Sequence, residues 1–162
     1  MIGIDLGSRH VKLVEMEQGK VIRREIYDTI AFYRQYGRVQ SGQLQINLEE
    51  AGWKGELVIA TGYGKLAVPV AGARQIPEIQ AHALGAVFQS GHSSFTLVDI
   101  GGQDSKVILV REGKVIDFLT NDRCAASSGR YLENMAAVLD ISLEELARYD
   151  QDPAEINATC AI

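Results

Sequence analysis

Short apolar runs rich in Val, Ile and Leu, each interrupted by a glycine-bearing polar turn, open the chain and recur in its second half. Runs of this kind predict β-strands rather than helices, which would show a longer 3.6-residue periodicity. Ile4 to Ile22 reads IDLGSRHVKLVEMEQGKVI, and Val98 to Ile116, 94 residues further on, reads VDIGGQDSKVILVREGKVI. In register and without a gap, Asp5 falls on Asp99, Gly7 on Gly101, Lys12 on Lys106, and Gly19 to Ile22 on Gly113 to Ile116, with seven identities in nineteen positions. A single pair at so long a separation is not a solenoid, which stacks several copies of a shorter unit. The pattern predicts two related lobes, residues 1–91 and 92–162, each opening with three consecutive antiparallel strands.

Between the repeats, Asp28 to Tyr36 is mixed and fits a short helix or a loop. Leu44 to Leu48 predicts a weak strand and Glu56 to Ala60 a firm one, which enters the glycine turn Thr61-Gly62-Tyr63-Gly64-Lys65. Pro77 stands at a favourable helix start, and the following segment places Ile79, Ala83, Ala86 and Val87 on one face, predicting a helix that ends near Ser90-Gly91. After the second trio, a helix is expected with Tyr131, Leu132, Met135, Val138 and Leu139 facing inward, then a capping box at Ser142 and Glu145. The chain stops at Ile162 before the later strands that a duplicate lobe needs, so a longer natural protein is expected.

The tip of each first hairpin carries the candidate chemistry. Glycine lets the backbone approach a ligand closely, so successive N–H groups can cradle an anion. An aspartate at the strand end beside such a turn suits a hydrated divalent cation bridging phosphates. Two such tips, one per lobe, would hold a nucleotide triphosphate from both sides. DLG or DIGG alone could be an ordinary hairpin turn; their occurrence in register favours the phosphate reading. Neither a dinucleotide-binding fingerprint nor a P-loop is present, because GYGKLA lacks the third glycine and a following βαβ unit.

A net charge of −5 argues against nucleic acid as the main partner. No apolar stretch is long enough to span a bilayer and no basic leader precedes the first strand, so a cytoplasmic location without a membrane partner is expected. There are two cysteines, Cys124 and Cys160. Idle thiols in a reducing cytosol are the plain reading. However, Cys124 follows Asp122-Arg123 and precedes small residues leading into a helix start, a setting that favours thiolate. Two thiolates from each chain of a twofold dimer would complete a 4Fe-4S cluster, or a shared structural zinc.

The strings IDLGS, ATGYG (Ala60 to Gly64), AHALGA (Ala81 to Ala86), DIGGQDSK (Asp99 to Lys106), NDRCAASSGRYLE (Asn121 to Glu133) and NATC (Asn157 to Cys160) occur in this order. In them the chain resembles the activators of 2-hydroxyacyl-CoA dehydratases and the ATPase subunits of benzoyl-CoA reductases, within the actin, Hsp70 and sugar kinase superfamily. The resemblance implies an α/β fold of actin-like, ribonuclease H-like ATPase lobes with mixed sheets, the second incomplete here. It implies ATP and Mg²⁺ as ligands, with Asp5 and Asp99 holding Mg²⁺ through water and Asp99, Gln103 or Asp104 orienting the attacking water. Gly7, Ser8, Arg9, His10, Val11, Lys12, Gly101 and Gly102 would surround the phosphates. Cys124 and Cys160 would bind one 4Fe-4S cluster across a homodimer. The implied outcome is ATP-driven transfer of one electron to an acyl-CoA dehydratase or related reductase component, with ferredoxin or flavodoxin as donor.

The chain departs from the family pattern at two points. Arg9-His10-Val11 replaces the usual run of small hydroxyl residues after IDxGS, and Ser127-Ser128 stands for a glycine-threonine pair. The family's adenosine-binding segment is expected beyond Ile162. The alternatives are a small-molecule kinase of the same superfamily, which would need a phosphoryl-acceptor site, and a non-catalytic binding remnant. His82, a lone helix histidine, is expected to pack or cap rather than bind, and Trp53 and Tyr63 are expected in the core or at its rim.

Overall fold

The computed structural model describes residues 1–121 and 128–152. The two repeats form separate sheets. β1 (Ile2–Leu6), β2 (His10–Glu17) and β3 (Lys20–Asp28) pair antiparallel. They are extended by β6 (Val58–Thr61) and the two-residue β7 (Arg74–Gln75), both parallel to β1, giving the order β3-β2-β1-β6-β7. In the second sheet β8 (Phe95–Ile100), β9 (Ser105–Arg111) and β10 (Lys114–Asn121) repeat the antiparallel trio in the order β10-β9-β8. A small hairpin of β4 (Gly37–Gln40) and β5 (Gln43–Ile46) stands apart.

The likeness of the two trios extends to their turns. Gln18 and Gly19 take φ values of 49° and 76° between β2 and β3, and Glu112 and Gly113 take 50° and 73° between β9 and β10. Two successive positive φ values are what a two-residue hairpin turn requires when its twist must match the strands, and glycine at the second position lowers their cost. Each second hairpin also carries a register irregularity, at Glu15/Met16 and at Val115/Asp117.

Alternation along β1 and β2 sends Ile2, Ile4, Leu6, Val11 and Leu13 into a core closed by Phe32, Ile46, Trp53 and Ala60. The mixed segment after β3 is a helix, α1 (Thr29–Tyr36). The Asp28 carboxylate accepts a hydrogen bond from the Ala31 amide at 3.0 Å and so caps its start. Phe32 on this helix is fully buried against the rings of Tyr27 and Tyr36, both with centroids within 6 Å. Trp53 is also core, with the Arg23 guanidinium 3.9 Å above its ring.

α2 (Glu78–Ser90) follows Pro77 and ends at Gly91, whose φ of 71° closes the helix in the left-handed conformation. As the sequence predicts, it buries Ala83, with Ile79 and Val87 beside it. These residues pack on Ile108 and Val110 of the second sheet, so the helix carries the chain from one sheet to the other. α3 (Gly129–Val138) differs from its predicted face: Ala136 is buried, whereas Val138 and Leu139 are 77% and 59% exposed. The reason is the way the helix is anchored. Its first turn hydrogen-bonds the Gly101-Gly102 turn instead of lying along a sheet, so its apolar stripe has no sheet beneath it among the described residues. α4 (Leu143–Leu146) starts at the predicted capping box of Ser142 and Glu145. No described helix is long and apolar enough to cross a membrane.

Two strands escape the sequence reading. β4 is a short, largely exposed GRVQ and β7 only two residues, both defined by their partners rather than by their own pattern. Replacing Phe32 with Ala removes a fully buried ring from the aromatic cluster and is expected to cost about 3–5 kcal/mol, read as a lower urea midpoint in equilibrium unfolding.

Candidate functional site

The two first-hairpin turns face each other. Gly102 lies so close to the first turn that a Cβ added to it would sit 3.2 Å from Ser8 Oγ and 3.4 Å from Arg9 Cβ. Each turn is braced from behind by the start of a helix. At α1, the Thr29 hydroxyl donates to the Gly7 carbonyl at 2.9 Å and the Thr29 amide to the Arg9 carbonyl at 3.2 Å. At α3, the amides of Gly129 and Arg130 donate to the carbonyls of Gly101 and Gly102 at 2.8 and 3.1 Å. In a trans peptide the N–H points opposite to the C=O of the same unit, so the amides of Ser8, Gly102 and Gln103 turn away from the helices. The residues carrying them line a cleft of about 380 Å³ between the sheets.

The acids and cations of the repeat flank this cleft. Cross-strand register puts Asp5 opposite Lys12 and Asp99 opposite Lys106. Lys12 Nζ lies 3.3 Å from Asp5 Oδ2 near the surface. Lys106, with its side chain only 7% exposed, donates to Asp104 Oδ1 at 2.8 Å and Glu78 Oε1 at 3.2 Å, and lies 3.6 Å from Asp99 Oδ2. Burial pulls the Lys106 ammonium downward, but Asp104 and Glu78 together outweigh it and the net shift is upward.

His82 Nδ1, on α2, is 3.0 Å from Asp99 Oδ2. Both atoms are buried, and the approach is too poorly aimed to count as a hydrogen bond for either. The contact with His82 nonetheless holds the Asp99 carboxyl below its ordinary range against the opposing effect of burial, with Lys106 adding to it. Asp99 in turn raises the His82 imidazole above its ordinary value, again against burial.

Of the residues singled out in the sequence, Asp5, Gly7, Ser8, Arg9, His10, Lys12, Asp99, Gly101, Gly102, Gln103 and Asp104 all line this cleft. Val11 does not, because strand alternation turns its side chain into the core, where it is fully buried. Arg9 reaches across to the second half of the molecule, its Nε 3.2 Å from Glu133 Oε1 on α3. Tyr63 stands at the rim, 79% exposed. Cys124 and Cys160 lie outside the described residues.

Two residues of the cleft and one beneath it were missed or misread in the sequence. Glu78 and His82 sit one helical turn apart on α2, and the i, i+4 spacing of this acid and histidine is the signal that could have paired them. His82 contacts an acid of the site and is not merely a packing or capping residue. Gly62 supports the site from beneath: its φ is 93°, and a side chain there would collide with Asp5 Oδ1 and come within 2.7 Å of the Leu6 backbone. The glycine turn after β6 thus leaves room for Asp5.

The sequence matches the BadF/BadG/BcrA/BcrD ATPase family over residues 2–162. It is 39% identical to the activator of lactoyl-CoA dehydratase of Anaerotignum propionicum, covering 99% of this chain and 63% of that protein. With the (R)-2-hydroxyglutaryl-CoA dehydratase activating ATPase of Acidaminococcus fermentans it shares 34% identity, over 99% of this chain and 63% of the relative. The chain therefore spans a little under two-thirds of the length of these relatives. The crystal structure of component A of the A. fermentans dehydratase superposes with a TM-score of 0.71 at 30% identity, over 99% of this chain and 62% of that one. The 2-hydroxyisocaproyl-CoA dehydratase activator from Clostridium difficile with bound ADPNP gives the same TM-score at 28% identity, over 99% and 60%. The α/β fold with its two antiparallel trios is thus the actin-like ATPase fold of these activators, and the chain belongs to the BadF/BadG/BcrA/BcrD ATPase family.

Proposed function

We propose that this chain is the phosphate-clasping part of an ATP-hydrolysing activator that delivers one electron to an acyl-CoA dehydratase or a related reductase, working as a homodimer around a shared 4Fe-4S cluster. The single observation that carries the ATPase part is the facing of the two repeated glycine turns across one cleft, each with an aspartate and a lysine at its strand end. In this reading residues 1–91 form the first lobe and residues 92–162 begin the second.

The amides of Ser8, Gly102 and Gln103 bind phosphate oxygens, and Lys12 and Arg9 offset the phosphate charge. Asp5 and Asp99 offer hard oxygen donors of the kind that hold a hydrated Mg²⁺, and the cluster of carboxylates around them fits that ion. When bound, Mg²⁺ supplies charge neutralisation on the phosphates. Gln103 and Asp104 are beside Asp99 to orient water. Lys106 keeps Asp104 and Glu78 from repelling one another.

The electron-transfer part rests on the motifs around Cys124 and Cys160 and on the relatives named as dehydratase activators. A 4Fe-4S cluster, when bound, supplies low-potential one-electron chemistry. Ferredoxin or flavodoxin would be the reductant.

Two measurements test these parts separately. Protein purified without oxygen is expected to contain about four iron atoms per dimer, with the iron lost in Cys124→Ser; an iron-free protein, or iron indifferent to that substitution, refutes the cluster. Asp99→Asn is expected to abolish ATP hydrolysis while iron content is unchanged, and retained turnover would move the chemistry away from this cleft.

A further inference from the structure

Asp5 and Asp99 occupy equivalent places in the two hairpins, but the fold does not hold them alike. Among the described residues Asp5 has one ion-pair partner, Lys12, whose side chain is 56% exposed. A pair with so exposed a lysine is weak and restrains the carboxylate little. Asp99 is approached at one buried oxygen, Oδ2, from two different elements, neither of which makes a well-aimed hydrogen bond to it. The nearly buried Lys106 of β9 lies 3.6 Å from it, and His82 of α2 lies 3.0 Å from it. His82 is itself fixed, since α2 is pinned to the second sheet through Ile79, Ala83 and Val87 on neighbouring turns.

We propose that His82 is a positioning residue that holds Asp99 by Oδ2 in a single orientation, so that the other carboxylate oxygen is presented to the reacting water in the cleft. This rests on the ATPase reading above and adds to Asp99 a task beyond holding the cation: its partners orient it toward the water, whereas Asp5, paired with the exposed Lys12, serves the cation and phosphates. At 3.0 Å and with both atoms buried, a small turn of the carboxylate suffices to align the His82–Asp99 contact.

The rival reading of the same side chains is a metal site. Ligand atoms of Glu78, His82 and Asp99 all lie within 4.8 Å of one another. The Lys106 ammonium already supplies positive charge there, 3.2 Å from Glu78 and 3.6 Å from Asp99. A cation among the three would have to displace a nearly buried lysine from its partners, which disfavours metal and leaves positioning.

The test compares His82→Ala and His82→Asn in the full-length protein, by steady-state ATP hydrolysis and by calorimetric binding of ADP. His82→Ala is expected to lower kcat about 10- to 100-fold, the usual effect of removing a group that orients a catalytic ligand. ADP affinity stays unchanged. His82→Asn is expected to recover most of the rate, because its amide nitrogen takes the place of Nδ1 as donor without providing an imidazole. An unchanged kcat in His82→Ala overturns the proposal. So does equal loss in both variants, which would make the imidazole itself the requirement, as ligand or base. A parallel fall in ADP affinity and kcat would reduce His82 to a structural role. Absence of hydrolysis in the wild type, with ADP binding or without it, would refute the ATPase reading itself and this assignment with it.

Discussion

The site depends on confining negative charge. Asp5, Asp99, Asp104 and Glu78 line one cleft, and the ligand that the cleft is argued to hold is an anion as well. Carboxylates gathered in this way repel one another and raise one another's pKa unless cations are built in among them. The fold places a lysine opposite each repeated aspartate by strand register alone, because Lys12 is paired across from Asp5 and Lys106 across from Asp99 in antiparallel ladders of the same construction. Lys106 goes further and gathers Glu78 and Asp104 as well as Asp99, at the cost of its own hydration. Its net upward shift shows that the carboxylates more than repay that cost. Remove the register and the acids have no reason to remain in place.

That constraint explains how much of the molecule could be read from its sequence. The strand trios, their turns and the residues at the hairpin tips are local features: Gln18-Gly19 and Glu112-Gly113 declare a hairpin, and the alternation in β1 and β2 declares which side is core. Most of the cleft followed, because eleven of the twelve residues named for phosphate and catalysis line it. Val11 is the exception, and the alternation that identified the strand should have excluded it: a neighbour of two cleft residues on a strand faces the opposite way.

What stayed hidden depends on contacts between elements distant in sequence. β7 is a strand only because β6 lies beside it, and β4 only because β5 does. α3 carries an apolar stripe that predicts burial, yet its position is decided by two backbone hydrogen bonds to a glycine turn, a choice that side-chain periodicity does not encode. His82 could not be separated from an ordinary packing histidine until α2 was seen to deliver it to Asp99, seventeen residues later and in another sheet. The sequence displayed the chemistry of the repeat; it did not display which copy would be clamped.

The helix braces carry the last step. The first turn is tied to α1 and the second to α3, in both cases through carbonyls of the turn, so any displacement of a turn by a ligand on its amide side pulls on a helix start. Arg9 adds a crossing link, since it belongs to the first turn and pairs with Glu133 on α3. The pair is half-exposed and therefore weak on its own, but it joins the same two parts that the ligand would join. Under the proposed reading, a phosphate that drew Arg9 toward itself would loosen the link to Glu133 and replace it with one made through the ligand. Coupling of this kind needs only differential contacts in the two states, and α3 is the element that meets both the second glycine turn and Arg9 of the first.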